Sequence, residues 1–440
     1  MSSSHEARTR PRRAWWRGRA TTTRIEYNRL GAKEAARLIE RGEITAKDLV
    51  RSCLERIAER EGVVRAWAFL DEELAVTQAT RAHAPLHGVP IGIKDIFDTH
   101  DMPSEYGSPI YAGHRPRTDA AVVSLARRAG GVMMGKTVTA ELATFVPRQT
   151  RNPRDPSRTP GGSSSGSAAA VADFMVPLAF GTQTSGSLIR PASYCGVVAY
   201  KPTYNLLARA GLKPSADSLD TIGVFGRSAE DVAFLVAALT NRPELETRTD
   251  RAPRIGLCRT DEWDRVQPEM RKALEDGGRA VGAQEFELPR RFKGLRESHT
   301  AILQYESARS LADEFTRFPH QLDPALRERC ARGFALDPKE YVQSQEHAFG
   351  CRAHLDEAFG SCDVLLAPAA TGEAPEGLSS TGDVALNAVW TLLYVPCVAV
   401  PAATSPSGMP LGLQVIGRIG DDARTLACAE WIAARLGGRL

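Results

Sequence analysis

The sequence lacks several features that would each define a class of protein. No run approaches the roughly 18 apolar residues of a membrane-spanning helix, so no membrane partner is expected. The eight cysteines are scattered without a CxxC pair, which disfavours metal knuckles, redox motifs and a disulfide framework. The nine histidines form no HExxH motif. His83 and His87 are separated by Pro85, which argues against one helix presenting both, so no catalytic metal is expected.

Positive charge is concentrated in residues 1–24, which hold seven arginines and a single acid, Glu6. That segment carries +6, and because the whole chain carries +3, the remainder is mildly acidic at −3. A nucleic-acid-binding face on the folded body is therefore not expected. No apolar segment follows Trp15 and Trp16, so a disordered basic tail is favoured over a targeting signal. A cytoplasmic location is the expectation.

The remaining composition is that of an ordinary globular protein, with 42% hydrophobic and 25% charged residues. Amphipathic and apolar segments alternate along the chain. Helices are predicted at Ala32–Arg41, Thr45–Arg60, Asp119–Arg128, Ser167–Asp173 and Asp421–Leu436. Buried strands are predicted at Val132–Met134, Val176–Phe180, Val197–Tyr200, Val364–Ala367, Cys397–Val400 and Leu413–Ile416. This alternation predicts an α/β fold with a mainly buried sheet.

Two motif matches are misleading. Gly130–Thr137 fits the P-loop pattern, but a helix is predicted before Gly130 and a buried strand within the match. Gly162–Gly166 fits the nucleophile elbow with Ser164 at its centre, but an elbow follows a strand directly, and this segment follows a loop. Neither nucleotide binding nor an α/β-hydrolase site is favoured.

Three other segments carry the chemistry. In Gly88–Asp95, Lys94 ends an apolar run, where burial would favour the neutral amine; a salt bridge to Asp95 is the ordinary alternative. Thr159–Gly166 places three serine hydroxyls among glycines, and the alternative there is a flexible linker. Gly181–Ser187 joins a predicted strand to a predicted helix, and the alternative there is a simple helix cap.

Together the three segments fit one chemical scheme. Ser187 attacks a carbonyl carbon, Ser163 bridges it to Lys94, and Lys94 takes the proton and returns it to the leaving amine. The backbone N–H groups of Thr184, Ser185, Gly186 and Ser187 are the predicted oxyanion hole. One such donor can be worth roughly 3–4 kcal/mol.

At these residues the sequence resembles the amidase signature family of serine hydrolases. Its lysine motif, G-x-P-x-x-x-K-D, matches Gly88–Asp95, and its Gly/Ser-rich signature matches Thr159–Thr203. The resemblance places the nucleophile on Ser187, the bridging serine, held by a cis peptide, on Ser163, and the base on Lys94.

The resemblance also implies a fold and a substrate region. We expect one α/β domain over residues 25–440, with a central, mixed, twisted sheet flanked by helices and with no metal or organic cofactor. Substrate specificity would be set by a variable helical region at about 250–360. Further candidate substrate contacts are Gly161, Gly162, Gln183 and Trp390.

Three positions depart from the family pattern, since Gln183, Ser185 and Ile189 stand where many members have Asp, Gly and Arg. Amidotransferase subunits that use glutamine normally keep that Asp and Arg. The leading hypothesis is therefore a stand-alone amidohydrolase for linear amides, and possible substrates include small esters and carbamates. It would act as a monomer or homodimer without nucleic acid. The alternative is the glutaminase subunit of a tRNA-dependent amidotransferase.

Overall fold

The computed structural model describes residues 26–79 and 84–437, so the predicted basic tail and His83 lie outside the described residues. The strands are β1 Trp67–Leu70, β2 Pro90–Lys94, β3 Val132–Thr137, β4 Leu178–Gln183, β5 Val198–Lys201, β6 Thr221–Gly226, β7 Ile255–Cys258, β8 Gln284–Phe286, β9 Val364–Pro368, β10 Cys397–Thr404 and β11 Pro410–Ile416. The helices are α1 Ala32–Glu40, α2 Ala46–Val64, α3 Glu72–Gln78, α4 Ala121–Arg128, α5 Ser165–Ala172, α6 Ile189–Cys195, α7 Ala229–Thr240, α8 Pro268–Val281, α9 Leu295–Ser310, α10 Ala312–Arg317, α11 Pro324–Ala335, α12 Pro338–Ala353, α13 Leu355–Phe359, α14 Ala385–Leu392 and α15 Asp422–Leu436.

One mixed sheet of eleven strands runs through the described residues in the order β1-β3-β2-β4-β6-β5-β10-β11-β9-β7-β8. Strands β3, β2 and β4 are parallel, as are β9, β7 and β8, and the pairings between these groups are antiparallel. The two halves of the chain join where β5 pairs with β10. The chain is thus a single α/β domain with a large mixed sheet flanked by helices, which confirms the predicted fold class.

Burial on both faces explains the apolar runs in the central strands. All residues of β2, β4 and β9 are buried, as expected for strands covered by helices on both sides. Helix α2 begins at a capping box, in which the Thr45 side chain accepts from the Asp48 backbone while the Asp48 carboxylate accepts from the Thr45 backbone. No helix among the described residues has both the length and the apolar character to cross a bilayer.

The P-loop match is excluded by the fold. Helix α4 ends at Arg128, and Val132–Thr137 forms the buried strand β3, so the matching segment does not cradle a phosphate. Lys136 within it is buried and lies 3.1 Å from the Asp95 carboxylate.

The sheet topology brings the candidate residues together. Because β2 and β4 are adjacent and parallel, their carboxyl ends lie at the same edge of the sheet. That edge carries Lys94, the last residue of β2, and Gln183, the last residue of β4. The loop that ends at the start of α5 supplies Ser163 to the same place.

Candidate active site

Lys94 is fully buried and contacts two hydroxyl groups. Its Nζ donates to Ser163 Oγ at 2.8 Å and to Thr182 Oγ1 at 2.7 Å. Burial lowers the pKa of Lys94 to about 7, although the charge of Asp220 acts in the opposite direction. The alternative of a Lys94–Asp95 salt bridge is not observed, because Asp95 pairs with Lys136 instead. Lys94 is therefore a buried amine with two hydroxyl partners and a pKa near neutral.

Ser163 lies in a tightly built turn. The Gly162–Ser163 peptide is cis, as the resemblance implied. The Gly162 carbonyl accepts from Arg190 Nη2 at 2.6 Å, and a Cβ at Gly162 would lie 2.7 Å from Thr381 Cγ2. Gly161 has a φ of +81°, and a Cβ there would lie 2.9 Å from the Pro191 backbone. These close approaches explain the two glycines.

Ser187 lies on the wall of a cavity of about 340 Å³. Its hydroxyl makes no hydrogen bond with any described residue, in contrast to the fully bonded Ser164 beside the turn. Ser164 Oγ donates to the Thr182 carbonyl at 3.2 Å and accepts from the Thr182 N–H at 3.3 Å. Ser164 is also fully buried, so the nucleophile-elbow alternative finds no exposed hydroxyl there.

The segment between β4 and α6 is held by its carbonyl groups. The Thr184 carbonyl accepts from His299 Nε2 at 2.9 Å, and that of Ser185 accepts from Thr391 Oγ1 at 2.8 Å. The Gly186 carbonyl accepts from the N–H of Arg190 at 3.1 Å. No described residue accepts from the N–H of Thr184, Ser185, Gly186 or Ser187. Fixed carbonyls with free N–H groups are the arrangement that an oxyanion hole requires.

Asp220 fixes the same loop from its other side. Its carboxylate accepts from Thr184 Oγ1 at 2.5 Å and from the N–H groups of Ser215 and Ala216 at 2.7 and 3.1 Å. Burial raises the pKa of Asp220, while these three hydrogen bonds favour its ionised form.

Gln183 lies beneath the loop, and it does not line the cavity. Its Oε1 accepts from the N–H groups of Leu188 and Ile189 at 2.9 and 3.0 Å, and its Nε2 donates to Thr391 at 3.0 Å. The side chain therefore satisfies the start of α6, where N–H groups have no partner within the helix. The structure assigns it a supporting position instead of the predicted substrate contact.

The other predicted substrate contacts also lie away from the cavity wall. Gly161 and Gly162 are buried in the turn and are not among the cavity-lining residues. Trp390 is fully buried within the hydrophobic core and does not reach the cavity, which Ala388 lines from the same helix. A large apolar side chain at one helical position gives no indication of which face is buried, so the sequence alone did not show whether Trp390 lines the cavity or packs in the core.

The cavity wall includes residues that local patterns did not single out. His299 and Arg329 come from α9 and α11, in the helical region to which the resemblance assigned specificity. Arg190 follows Ser187 by three residues on α6. Burial lowers the pKa of His299 to about 4, so its ring is neutral at pH 7. His299 and Arg329 reach the cavity from parts of the chain far from Ser187, and no local periodicity encodes those contacts.

One group within the described residues has the spacing of metal ligands. The ligand atoms of His100, Asp101 and Asp119 all lie within 4.8 Å of one another. Arg127 donates to Asp101 at 2.7 Å and to Asp119 at 2.9 Å, so both carboxylates of this cluster already have a guanidinium partner. The cluster is therefore explained as an ion-pair network.

Comparison with known proteins identifies the family. Residues 48–426 match the family model described as Amidase. The chain belongs to the amidase family. A glutamyl-tRNA(Gln) amidotransferase subunit from Anaeromyxobacter sp. (strain K) is 31% identical and is aligned over 95% of this chain and 98% of its own length. Its counterpart from Acidothermus cellulolyticus is 32% identical over 89% of this chain and 92% of its own length.

Solved structures agree with this membership. A crystal structure of an amidase superposes with a TM-score of 0.84 at 32% identity, covering 92% of this chain and all of that one. The native peptide amidase from Stenotrophomonas maltophilia gives a TM-score of 0.79 at 26% identity, covering 94% and 98% of the two chains. The predicted family and fold are confirmed. Membership of this family supports an activity on amide C–N bonds.

Proposed function

We propose that this amidase family member cleaves amide C–N bonds through an acyl-enzyme on Ser187, with Ser163 as the proton bridge and Lys94 as the base. The observation that carries the proposal is the buried Lys94 amine, which donates to two hydroxyls and has a pKa lowered to about 7. A neutral amine in this position has a free lone pair, which a salt-bridged lysine would lack.

The chemistry follows from these positions. The Ser187 oxygen bonds to the substrate carbonyl carbon, and its proton passes to Ser163 as the Ser163 proton passes to Lys94. The negative charge on the substrate oxygen is stabilised by the free N–H groups of the segment Thr184 to Ser187. Lys94 returns the proton to the leaving nitrogen as the C–N bond breaks. Water then attacks the ester by the reverse proton route, releasing a carboxylic acid and restoring Ser187.

Covalent labelling tests the assignment. We would treat the purified protein with a sulfonyl fluoride and locate the adduct by peptide mass spectrometry, in wild type and in a Lys94→Ala variant. The expected result is an adduct on Ser187 that forms at least about 100-fold more slowly without Lys94, since general bases contribute about 10²- to 10⁴-fold. An adduct on Ser164, or equal labelling of both proteins, would reject the assignment. A surface Lys272→Ala variant is the control, because that side chain is exposed.

The curated relatives favour a second candidate function. The two amidotransferase subunits named above align with most of this chain, and their names describe parts of a tRNA-dependent amidotransferase. In such a role the site would hydrolyse glutamine and would need partner subunits. The departures at Gln183, Ser185 and Ile189 support the stand-alone hydrolase instead.

An activity comparison separates the two candidates. The purified chain would be assayed alone against glutamine and a panel of small amides, esters and carbamates, and again with amidotransferase partner subunits and tRNA. Turnover of small amides by the chain alone supports the stand-alone hydrolase. Glutaminase activity that appears only with the partners and tRNA supports the amidotransferase role.

A further inference from the structure

Asp220 is a buried carboxylate whose hydrogen-bond donors are all uncharged. Only 3% of the residue is exposed, and its oxygens accept from Thr184 Oγ1 and from two backbone N–H groups. No described cation lies within the 4.0 Å of an ion pair with it. Arg209, whose charge acts on Asp220 from farther away, is itself paired with Asp217 at 3.2 Å. A buried charge that lacks a close partner is costly unless an opposite charge compensates it.

Lys94 is the complementary case, a buried amine without a carboxylate in ion-pair contact among the described residues. It is fully buried, and both of its side-chain contacts are neutral hydroxyls. Its neighbour in sequence, Asp95, is paired with Lys136 instead. Asp220 is the charge that acts on Lys94. Two buried groups of opposite charge, each without a close partner, therefore occupy the same part of the protein.

The sheet places these two groups at one edge. Lys94 is the last residue of β2, and Asp220 immediately precedes Thr221, the first residue of β6. Strand β4 lies between them, parallel to β2 and antiparallel to β6, so the end of β2 and the start of β6 share an edge. Neighbouring strands are about 4.8 Å apart, which separates the two outer backbones by about 10 Å. Buried charges are little screened over that distance.

Two threonines at the end of β4 contact the two groups. Thr182 Oγ1 accepts from Lys94 at 2.7 Å, and Thr184 Oγ1 donates to Asp220 at 2.5 Å. Because only one residue separates the threonines, the amine and the carboxylate are held near each other without touching. A pair in this arrangement interacts through its charges and does not exchange a proton directly.

The elements packed against these groups bring no substitute for this pairing. Strand β4 and helix α5, which pack against β2, have no titratable side chain, and Lys136 on β3 has its own carboxylate partner. Near Asp220, His299 and Tyr204 are neutral at pH 7, since burial lowers the pKa of the first to about 4 and raises that of the second to about 12. The charge of Arg209 lowers the pKa of Asp220 and so favours its ionised form.

Buried charges on the neighbouring helices also leave the pairing intact. Arg190 on α6 and Glu306 on α9 are both buried, but neither is among the charges that act on Lys94. Glu306 accepts from the N–H and the hydroxyl of Ser218 at 2.8 and 2.6 Å. Asp220 is thus the described carboxylate that is placed to compensate a protonated Lys94.

We propose that the Asp220 carboxylate is the counter-charge that stabilises Lys94 whenever its amine is protonated, which makes Asp220 a positioning residue for the reaction proposed above. Its role in turnover rests on that proposed function, whereas the coupling of the two charges is a property of the resting protein. When Lys94 has taken the proton that leaves Ser187 by way of Ser163, the ammonium interacts with a fixed negative charge. Asp220 itself takes no proton, and the same proton later passes from Lys94 to the leaving nitrogen.

The sign of this effect separates it from a structural role. A carboxylate favours the charged form of a nearby amine, so removing the charge of Asp220 should lower the pKa of Lys94 below about 7. At about 10 Å and an effective dielectric constant of about 20, one charge changes the pKa of its partner by about one. If Asp220 only held its loop by hydrogen bonds, its loss would reduce stability and leave the Lys94 titration where it is.

Nuclear magnetic resonance measures the Lys94 titration without any substrate. The nine lysines of the chain would be labelled with 13C at Cε, and Lys94 would be assigned from the signal that a Lys94→Ala variant lacks. Titrations would compare wild type, Asp220→Asn and Asp231→Asn. The last is the matched control, because Asp231 is also a buried carboxylate that accepts from a backbone N–H, but it lies in the first turn of α7.

Lys94 should titrate at least about half a pH unit lower in Asp220→Asn than in wild type, and at an unchanged pH in Asp231→Asn. A smaller change in Asp220→Asn, or the same change in both variants, would overturn the counter-charge. A reciprocal measurement does not need the Asp220 variant to fold. Coupling between two sites is mutual, so the 13Cγ signal of Asp220 should titrate at higher pH in Lys94→Met than in wild type, and an unchanged titration would again overturn the proposal.

Kinetics keep this inference separate from the proposed function. In Asp220→Asn the midpoint of the kcat/KM profile should fall by the same amount as the Lys94 titration, with a lower plateau because a less basic amine is a weaker catalyst. A Lys94 titration that moves in a protein without amidase activity supports the counter-charge and rejects the proposed hydrolysis. An active Asp220→Asn variant with the wild-type titration and profile rejects the counter-charge and leaves the hydrolysis standing.

Discussion

At the scale of single residues, the surroundings of a side chain decide what the same residue type does. Three buried lysines illustrate this point. Lys136 is paired with Asp95, Lys201 donates to the carbonyls of Pro202 and Val395, and Lys94 alone among the three donates to Ser163. The motif and its spacing predicted Lys94 and Ser163 as a pair, and the observed hydrogen bond agrees with that prediction. The positions of Gln183 and Trp390 depended on contacts far along the chain, and the sequence did not indicate them.

Neighbouring serines provide a matched test of the proton bridge. We expect Ser163→Ala to lower kcat by about 10²- to 10⁴-fold, because it removes the hydroxyl that contacts Lys94 and that we propose as the proton bridge to Ser187. Ser164→Ala should instead lower the free energy of unfolding by about 1–3 kcal/mol, because it leaves buried backbone groups of Thr182 without a partner. Steady-state kinetics and urea denaturation measure the two effects. Equal losses of kcat in the two variants would contradict the assigned roles.

The pH dependence of activity follows from the lowered pKa of Lys94. The proposed base works as the neutral amine, so kcat/KM should rise with pH through about 7 and then level off. His299, with a pKa lowered to about 4, is neutral across that range and should not contribute. Rates measured between pH 5 and 9 on a folded wild-type protein check this. A rate that falls as pH rises through 7 would mean that the protonated amine is the working form.

At the scale of elements, the sequence predicts helices and strands where the apolar pattern is long and uninterrupted. The predicted helices Ala32–Arg41 and Asp119–Arg128 are observed as α1 and α4 with small shifts at their ends. The strands β1, β6, β7 and β8 were not predicted, because they are short or interrupted by glycine, as in Thr221–Gly226. Their positions are set by pairing with strands that are distant in sequence.

Helix α9 is expected to position the loop that precedes α6. His299→Ala removes the donor to the Thr184 carbonyl, and because small misplacements of catalytic groups are costly, kcat should fall by about 10- to 100-fold. The midpoint of the pH profile should not move, since Lys94 still sets it. His347→Ala is the control, because that ring bonds Ser298 and the Arg291 carbonyl and neither partner belongs to the loop before α6. Similar kinetics for the two histidine variants would argue against a positioning role.

At the scale of the whole molecule, one sheet joins the two halves of the chain. Strands β1 to β6 and their loops contribute Lys94, Ser163 and Ser187, while the helices among β7 to β11 contribute much of the cavity wall. The only strand pairing between these groups is that of β5 with β10 in the described sheet. The hydrophobic core of the described residues is one continuous cluster apart from a small group around Tyr194. The candidate site is thus built from both halves of a single folded domain.

This continuity predicts cooperative unfolding. Differential scanning calorimetry should show a single transition, because separating the halves would expose strand edges and core surface on both sides. Ser187→Ala should leave Tm nearly unchanged, since that hydroxyl bonds no described residue. Two resolved transitions in the wild-type protein would indicate that the halves unfold independently.

The contact between Thr391 and the Ser185 carbonyl links residues 206 positions apart. During synthesis Ser187, the proposed nucleophile, leaves the ribosome long before Thr391, which holds its loop, has been translated. A nascent chain that carries Lys94, Ser163 and Ser187 therefore still lacks the support that orients its oxyanion donors. Under the proposed mechanism, hydrolytic competence would therefore arise only near the end of translation, and truncated chains that end before Thr391 should be inactive even when Lys94, Ser163 and Ser187 are present.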